Sequence, residues 1–272
     1  MLRNFNLLKY VEDKLLKFRN WLSPPDPSEN HERTLRQRTP NTGLWFLQSN
    51  EYAKWKKQPA SLIWLHGMMG CGKSVLCSTI IQDVLQGCEK DPGKAVAYFY
   101  FDFRDTQKQS PELMIKLLIT KFMWRCIKMP SDMESMYYLC ENGGQQPSSD
   151  ALLHVLRHLI EGIPDVFIIL DALDECASRV QLMDTINELV SWQLEQLHIL
   201  ITSRKEPDIK NTLENLVDEY SSICLQTETV DKDIQTYVRH RLSTDKKLMK
   251  WAKDEQLCVQ IENVLMKKAG GM

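Results

Sequence analysis

The sequence predicts a three-layer α/β/α fold with a mainly parallel five-stranded sheet, an N-terminal helix and a small C-terminal helical segment. Three observations predict this fold. Short apolar runs alternate along the chain with stretches of helical periodicity, the order typical of parallel strands joined by crossover helices. The run at 166–170 is continuously apolar, as in a strand buried on both faces. The 272 residues, 43% of them hydrophobic, are enough for a sizeable core.

The first 22 residues predict an amphipathic helix. Its apolar residues have heptad spacing and are Leu8, Val11, Leu15, Phe18 and Leu22. The opposite face is weakly basic, so packing against another helix is favoured over lying on a membrane surface. Three prolines within 24–27 end this helix, and 23–60 is interpreted as a linker. Within that linker we expect a short aromatic helix through Leu44, Trp45, Phe46, Tyr52 and Trp55.

We expect residues 61–228 to form the core domain. We expect 229–272 to form the start of a helical domain, because only helical patterns follow residue 230. The strands are expected at 61–66, 95–101, 166–170, 197–201 and 222–225. The helices between them are expected at 75–85, 112–129, 151–161 and 178–196.

Residues 67–74, GMMGCGKS, fit the phosphate-binding template G-x-x-x-x-G-K-[ST], with the required strand before it and helix after it. Glycines let the backbone wrap closely around an anion, while a chance glycine-rich turn is the alternative interpretation. Lys73 is expected to reach the β- and γ-phosphates, and the Ser74 hydroxyl to bind Mg²⁺. The predicted nucleotide-binding residues are Gly67, Met68, Met69, Gly70, Cys71, Gly72, Lys73, Ser74 and Val75.

Acidic residues follow the buried run at 166–170. Asp171 is a candidate Mg²⁺ ligand together with Ser74, and Glu175, or Asp174, is a candidate to orient or deprotonate water. A solvated, helix-capping acidic turn is the alternative. Arg204 follows a strand that we expect between the other two, where its guanidinium would contact the γ-phosphate. The alternative for Arg204 is an ordinary surface residue.

Composition restricts the remaining functions. A net charge of −2 gives no basic excess for nucleic-acid binding. The eight cysteines are scattered without a C-x-x-C pair, which is typical of reduced thiols in a cytoplasmic protein. No apolar run approaches the roughly 20 residues of a membrane span. His154 and His158 have the four-residue spacing of a helical metal pair, but no third ligand is evident in the sequence, so a structural role is favoured.

The segments GMMGCGKS, VFIILDALDE and HILITSR resemble the phosphate-binding, acidic and sensor motifs of NACHT-type, STAND-class P-loop NTPases. The chain is most similar to fungal members and to the nephrocystin-3-like N-terminal module, over roughly residues 20–272. The resemblance implies a signalling switch of the kind used in innate immunity. Such a switch binds ATP or GTP with Mg²⁺, hydrolyses it slowly, self-associates in the nucleotide-bound state and signals to a protein effector.

The same resemblance gives the residues their expected roles: Lys73 binds phosphate, Ser74 and Asp171 hold Mg²⁺, Glu175 serves hydrolysis and Arg204 reads the γ-phosphate. It also implies that 38–45 cover the nucleotide base. Family members usually continue into a winged-helix region and repeats, so we expect a chain truncated after the NTPase core. Two alternatives stay open: a non-hydrolysing, nucleotide-stabilised interaction module and, with less support, a small-molecule kinase.

Overall fold

The fold is organised around one parallel sheet. A computed structural model describes residues 2–125, 131–225, 228–245, 247–248, 251 and 255–269. In this described part, five strands pair in the order β2-β3-β4-β1-β5, every pair parallel. The strands are β1 (Ser61–His66), β2 (Lys94–Tyr100), β3 (Asp165–Asp171), β4 (Leu197–Ser203) and β5 (Ser222–Cys224). The predicted five-stranded parallel sheet is confirmed.

The strand that precedes Arg204 lies between the two other strands that carry candidate site residues, as the sequence predicted. β4 pairs with β3 on one side and with β1 on the other. The register sets Ser203 opposite His66 and Ile201 opposite Leu170. The carboxyl ends of β1, β3 and β4 therefore meet at one edge of the sheet, where ligands bind in open α/β folds.

Helices connect and cover these strands. They are α1 (Leu2–Leu22), α2 (Ser28–Gln37), α3 (Leu44–Leu47), α4 (Asn50–Trp55), α5 (Lys73–Lys90), α6 (Pro111–Phe122), α7 (Ser131–Leu139), α8 (Ser149–Glu161), α9 (Arg179–Ser191), α10 (Pro207–Leu213), α11 (Glu228–Thr244) and α12 (Glu255–Ala269). Serine hydroxyls cap the first turns of α4, α6 and α8 by accepting backbone N–H groups. The helix predicted over 112–129 is shorter in the structure, because α6 is followed by a 3₁₀ turn at Met123–Arg125; residues 126–130 lie outside the described part.

Helices cover both faces of the sheet, which confirms the three layers. Alternate residues of each strand point to opposite faces. Ile63 and Leu65 of β1 belong to a core cluster that includes α5, whereas Leu62 and Trp64 belong to a second cluster with α6, α8 and α9. The first cluster also contains the aromatic residues Phe46, Tyr52 and Trp55 of α3 and α4.

The N-terminal helix packs against other helices, as its heptad spacing predicted. Leu15, Phe18 and Leu22 are buried, and Val11 packs partly buried against the same core. The side chain of Leu8, the remaining heptad position, lies outside the described side chains. Because Phe18 lies edge-on to Tyr137 of α7, with ring centroids 5.2 Å apart, α1 is joined to α7 by aromatic packing.

The segment interpreted as a linker contains a helix that the sequence pattern did not predict. The buried face of α2 consists of the polar residues Asn30, His31 and Thr34. The His31 Nδ1 lies 3.0 Å from the Tyr100 hydroxyl, and Asn30 Nδ2 donates to Asp102 at 3.4 Å. Because this helix buries polar side chains on polar partners, its sequence lacks the apolar period by which amphipathic helices are recognised.

After β5 the described chain is helical, as predicted for 229–272. The helices α11 and α12 pair through Arg239 Nε, which donates to Glu262 Oε2 at 2.9 Å. Across the described ranges, no helix combines the length and the apolar character needed to cross a bilayer.

Candidate functional site

The loop between β1 and α5 has the backbone of an anion cradle. Gly70 and Gly72 have φ of +84° and +88°, in the left-handed region that glycine adopts without strain. Gly67 is needed for a different reason, because a Cβ there would lie 2.7 Å from the Cys71 sulfur. α5 begins directly after Gly72. The free N–H groups of its first turn therefore face the loop and favour a bound anion.

Lys73 folds back over this loop. Its Nζ donates to the carbonyl oxygens of Gly67 and Met68 at 2.7 and 2.8 Å, and it lies 3.8 Å from the Cys71 sulfur. Met69, 78% exposed, forms the outer side of the loop. The ammonium group is thus held at the centre of the cradle by neutral acceptors. Phosphate oxygens, which carry charge, are stronger acceptors for the same group.

Asp171 ends β3 and is almost fully buried, with 2% of its surface exposed. The Thr202 hydroxyl donates to its Oδ1 at 2.6 Å, and the side chains of Ser74 and Cys77 also hydrogen-bond to it. Burial nevertheless dominates and raises the pKa of the Asp171 carboxyl, although these hydrogen bonds and the charge of Lys73 act in the opposite direction. The structure therefore brings the two predicted metal ligands, Ser74 and Asp171, into contact.

Thr202 and Cys77 were not predicted from the sequence as partners of Asp171. Thr202 follows Ile201, which is paired with Leu170, so it is the next position along β4 beside Asp171. The predicted adjacency of these two strands was the available signal for Thr202. Cys77 lies one turn after Lys73 on α5, a helical spacing that would have placed it on the face of the helix that begins at the loop.

Glu175 sits in a 3₁₀ turn just beyond β3, after Ala172 in a left-handed conformation with φ of 58°. Its Oε2 accepts the backbone N–H of Phe103 at 3.2 Å, so the exit from β2 fixes its position. Burial raises the pKa of Glu175, and the nearby carboxylates of Asp102, Asp174 and Asp171 raise it further. A half-buried carboxylate with a raised pKa at the sheet edge has the properties of a general base.

Asp102 was not recognised as part of this edge. It follows β2 and accepts from Arg104 Nε at 2.9 Å and from Arg33 Nη2 at 3.3 Å. The Arg104 hydrogen bonds lower the pKa of Asp102 to about 2, so this carboxylate stays charged beside Glu175. Its role depends on α2, the helix that the pattern did not predict.

Asp174 and Arg204 form a pair across the ends of β3 and β4. The Arg204 backbone N–H donates to Asp174 Oδ1 at 2.8 Å and its Nε donates to Oδ2 at 2.6 Å. The Asp174 side chain is 5% exposed, while that of Arg204 is 44% exposed. Because both oxygens of Asp174 are occupied by Arg204, this geometry favours Glu175 over Asp174 as the residue that activates water.

A cavity of about 740 Å³ lies beside the loop at the ends of β1, β4 and β5, with Met68, Met69 and Arg204 in its wall. A second cavity, of about 620 Å³, opens on the other side of the loop. The second cavity is lined by 36–39, Thr42, Gly43 and Trp45, by the loop and α5 residues Gly70, Cys71, Gly72, Val75, Leu76 and Thr79, and by Leu225 and α11. Its size suits a nucleoside.

Asp233 of α11 closes the second cavity by joining the helical segment to the chain before β1. Its Oδ2 accepts the Gly43 N–H at 2.7 Å and the Trp45 indole N–H at 3.0 Å. Gly43 itself has φ of +76°, and a Cβ there would lie 3.1 Å from Leu76 Cδ1. Burial raises the pKa of Asp233. This contact spans 190 positions in sequence, which explains why no local pattern predicted it.

Two buried polar atoms in the wall of the second cavity make no hydrogen bond within the described part of the chain. They are Arg38 Nε and His240 Nδ1. Buried polar groups in proteins are nearly always satisfied, and an exception at a cavity wall points to a ligand with polar edges. Arg38 belongs to the segment 38–45, and the expectation that this segment covers a base stays a prediction.

Comparison with known proteins identifies relatives of this chain. The family model described as Nephrocystin 3, N-terminal matches residues 41–204. The vegetative incompatibility protein HET-E-1 of Podospora anserina is 22% identical over 237 residues. That alignment covers 84% of this chain and 17% of the relative, so the chain spans less than a fifth of that protein's length.

Two solved structures have low similarity to the chain. Cdc6p from Pyrobaculum aerophilum aligns with a TM-score of 0.42 at 14% identity, covering 74% of this chain and 50% of the other. Drosophila ORC bound to DNA aligns with a TM-score of 0.43 at 14% identity, covering 86% of this chain and 57% of the other.

Proposed function

Because the chain belongs to the Nephrocystin 3, N-terminal family, we propose that it is a NACHT-like NTPase module that binds ATP or GTP with Mg²⁺ and hydrolyses it slowly as a signalling switch. One observation carries the proposal. The buried carboxylate of Asp171 lies against the Ser74 hydroxyl at the start of α5, directly beside a loop built to surround an anion. This is the residue chemistry that a magnesium-bound triphosphate requires.

The phosphate chain lies in the loop 67–74. Lys73 exchanges the carbonyl oxygens of Gly67 and Met68 for phosphate oxygens, which is favourable because a charged acceptor forms the stronger hydrogen bond. The first-turn N–H groups of α5 donate to the same oxygens.

Ser74 and Asp171 hold the metal. Mg²⁺ supplies neutralisation of the charge on the β- and γ-phosphates when it is bound. Burial of Asp171 makes its charged form unfavourable in the protein alone, since the hydrogen bonds of Thr202, Ser74 and Cys77 do not fully compensate. A divalent cation would stabilise that charge. The donor set, one carboxylate and one hydroxyl, fits a cation that prefers oxygen ligands and keeps several waters.

Glu175 positions the attacking water and accepts its proton, and the Phe103 N–H keeps its carboxylate in place. Arg204 contacts the γ-phosphate when one is bound. To do so, its Nε leaves Asp174, to which it is hydrogen-bonded in this structure. The exchange of partners by Arg204 links the presence of a γ-phosphate to the conformation at the ends of β3 and β4. That linkage is the physical basis for a switch.

The nucleoside occupies the cavity between 36–45 and α11. Arg38 Nε and His240 Nδ1 supply polar contacts to the base, and Tyr237, 45% exposed, supplies an aromatic surface. Because Asp233 joins α11 to Gly43, a nucleoside in this cavity contacts both the core and the helical segment. Nucleotide-dependent closure of that segment is therefore part of the proposal, together with self-association and recruitment of a protein effector.

The test measures nucleotide binding and phosphate release for the wild type, Lys73→Ala and Glu175→Gln. We expect Lys73→Ala to weaken binding by about a hundredfold, because it removes one partner of a desolvated charge pair. Glu175→Gln is expected to keep binding and to lose about a hundredfold in phosphate release, the usual worth of a general base. Lys57→Ala, an exposed lysine after α4, is the matched control and is expected to match the wild type.

The outcomes separate the alternatives. A wild-type protein that binds no nucleotide contradicts the proposal. Binding that depends on Lys73, with equal background phosphate release from all the proteins, supports the non-hydrolysing interaction module instead. Transfer of phosphate to a small molecule, rather than to water, supports the kinase alternative.

A further inference from the structure

A cluster of metal-ligand side chains lies away from the nucleotide site, where α7 meets α8. It consists of Asp132 on α7 with His154 and His158 on α8, and we call it the His–Asp cluster. One ligand atom from each residue lies within 4.8 Å of the others. The His158 Nδ1 is 2.5 Å from Asp132 Oδ2, and the two imidazole centroids are 4.4 Å apart with perpendicular rings.

The contact between His158 and Asp132 is an ion pair without hydrogen-bond geometry. The Nδ1 atom of His158 is buried, yet its close contact with Asp132 lacks the direction of a hydrogen bond. From the sequence alone, a structural role is favoured for the two histidines, because no third ligand is evident there. The structure supplies that ligand from a different helix, and this changes the interpretation.

We infer that the His–Asp cluster is a binding site for a divalent transition-metal ion, Zn²⁺ in the first instance. Two imidazoles one helical turn apart present their nitrogens on one face, and a carboxylate completes an N₂O set that suits zinc. Zinc ligands at about 2.0–2.2 Å lie about 3.4 Å from one another in tetrahedral geometry. The cluster must contract to reach that spacing, and His154 is exposed and free of core packing that would prevent a rotamer change.

Three protein ligands leave one position of a tetrahedral ion for water. The ion would link α7 to α8 through its ligands, and it would also stabilise the position of α1, which packs on α7. Tyr137 of α7 packs on Phe18 and Trp21 of α1, and Glu134 forms an ion pair with Lys14. The buried face of α8 belongs to the main core cluster. The metal therefore strengthens the attachment of α1 and α7 to that core, independently of the proposed nucleotide site.

The test uses tag-free, metal-stripped protein without nucleotide, titrated with Zn²⁺ against a chromophoric chelator. Asp132→Asn and His154→Ala remove one ligand each. The control is Glu89→Gln, because Glu89 is an exposed carboxylate on α5, which packs in the other core cluster from α8. We expect one Zn²⁺ per wild-type or control chain, and binding at least about tenfold weaker in both ligand variants, since even outer-shell losses cost about that much.

Two further readouts keep the result interpretable. In the wild type and the control, Zn²⁺ is expected to raise Tm and to slow amide exchange in α1 and α7. In the two ligand variants, Zn²⁺ is expected to have neither effect. Mg²⁺ is expected to have neither effect in any of the proteins. Circular dichroism checks that the variants are folded. Co²⁺ is expected to give a visible spectrum without a thiolate charge-transfer band. Equal zinc affinity in all four proteins, no zinc binding, or a thiolate band would overturn the inference.

Discussion

Two carboxylates at the end of β3, three residues apart, have opposite environments. The side chain of Asp174 is 5% exposed and accepts two hydrogen bonds from Arg204, one from its backbone N–H and one from its guanidinium Nε. Asp171 is 2% exposed and is surrounded by the hydroxyl and thiol groups of Thr202, Ser74 and Cys77, with its pKa raised by burial. The chain itself supplies the countercharge for Asp174, whereas Asp171 has only neutral donors and the more distant Lys73.

The difference shows how one strand end can serve two purposes. A buried charge that is fully paired is stable by itself, and a buried charge with neutral partners is stabilised further by an added cation. We therefore assign metal binding to Asp171 and the conformational response to the Asp174–Arg204 pair. Substitutions at Asp171 and at the Asp174–Arg204 pair are therefore expected to have separate effects.

Asp171→Asn is expected to have the largest effect. It should weaken binding of the magnesium–triphosphate by about a hundredfold, equivalent to about 2.8 kcal/mol. The nucleotide-free variant should melt at a higher temperature than the wild type at neutral pH. Because the folded-state pKa of Asp171 is raised, its ionisation costs folded stability above that pKa, and the cost disappears as the pH falls below it. Asp184→Asn, an exposed carboxylate on α9, controls for loss of charge. A lower Tm for the nucleotide-free Asp171→Asn protein would contradict this account.

The pH profile of phosphate release tests Glu175. Burial and three neighbouring carboxylates raise its pKa, and only the ionised form can accept a proton from water. The rate of phosphate release by the wild type should therefore fall as the pH is lowered, and this fall should occur above the pKa of an ordinary glutamate. The residual release by Glu175→Gln should lack this acid limb. An unchanged acid limb in Glu175→Gln would assign the titration to another group.

Arg204→Ala and Asp174→Asn are expected to shift discrimination between triphosphate and diphosphate in opposite directions. Loss of the guanidinium should reduce the preference for triphosphate by about tenfold, the usual worth of a charged hydrogen bond. Asp174→Asn should increase the preference a few-fold, because Arg204 leaves a neutral partner more easily. The affinity ratio, measured by fluorescence with labelled nucleotides, is insensitive to a general loss of stability. Lys205→Ala is the control, and a ratio that changes equally in Arg204→Ala and Lys205→Ala would remove the special role of Arg204.

Asp233→Ala is expected to have the smallest effect, because it lies away from the phosphates. Losing its hydrogen bonds to Gly43 and Trp45 should weaken nucleotide binding by about fivefold, or about 1 kcal/mol. Proteolysis of the free protein should also cut more readily near α11. The neighbouring Asp231→Ala on the same helix is the matched control. Equal affinities for the two variants would exclude α11 from the nucleotide site.

The sequence predicted those parts of the molecule that local patterns determine. Continuous apolar runs identified the strands, and the glycine spacing identified the loop whose left-handed φ values the structure contains at Gly70 and Gly72. The position of the Arg204 strand between the other two strands followed from the expected class of sheet. The roles assigned to Lys73, Ser74, Asp171, Glu175 and Arg204 stay predictions.

What the sequence did not predict depends on contacts between distant residues. α2 buries polar side chains on Asp102 and Tyr100, so no apolar period marked it. The contact between Asp233 and Gly43 needs the tertiary fold before it can be recognised. The third ligand of the His–Asp cluster is likewise on a helix that is separate in sequence from the two histidines. Sequence patterns report local periodicity, and none of these three features is local.

The most direct test of the central claim is isothermal titration of the wild-type protein with a hydrolysis-resistant triphosphate analogue, in Mg²⁺ and in EDTA. If Asp171 and Ser74 hold the metal beside the loop 67–74, one molecule should bind per chain in Mg²⁺, and binding in EDTA should be weaker by about tenfold or more. No binding in either buffer, or equal affinity in both, would contradict the account.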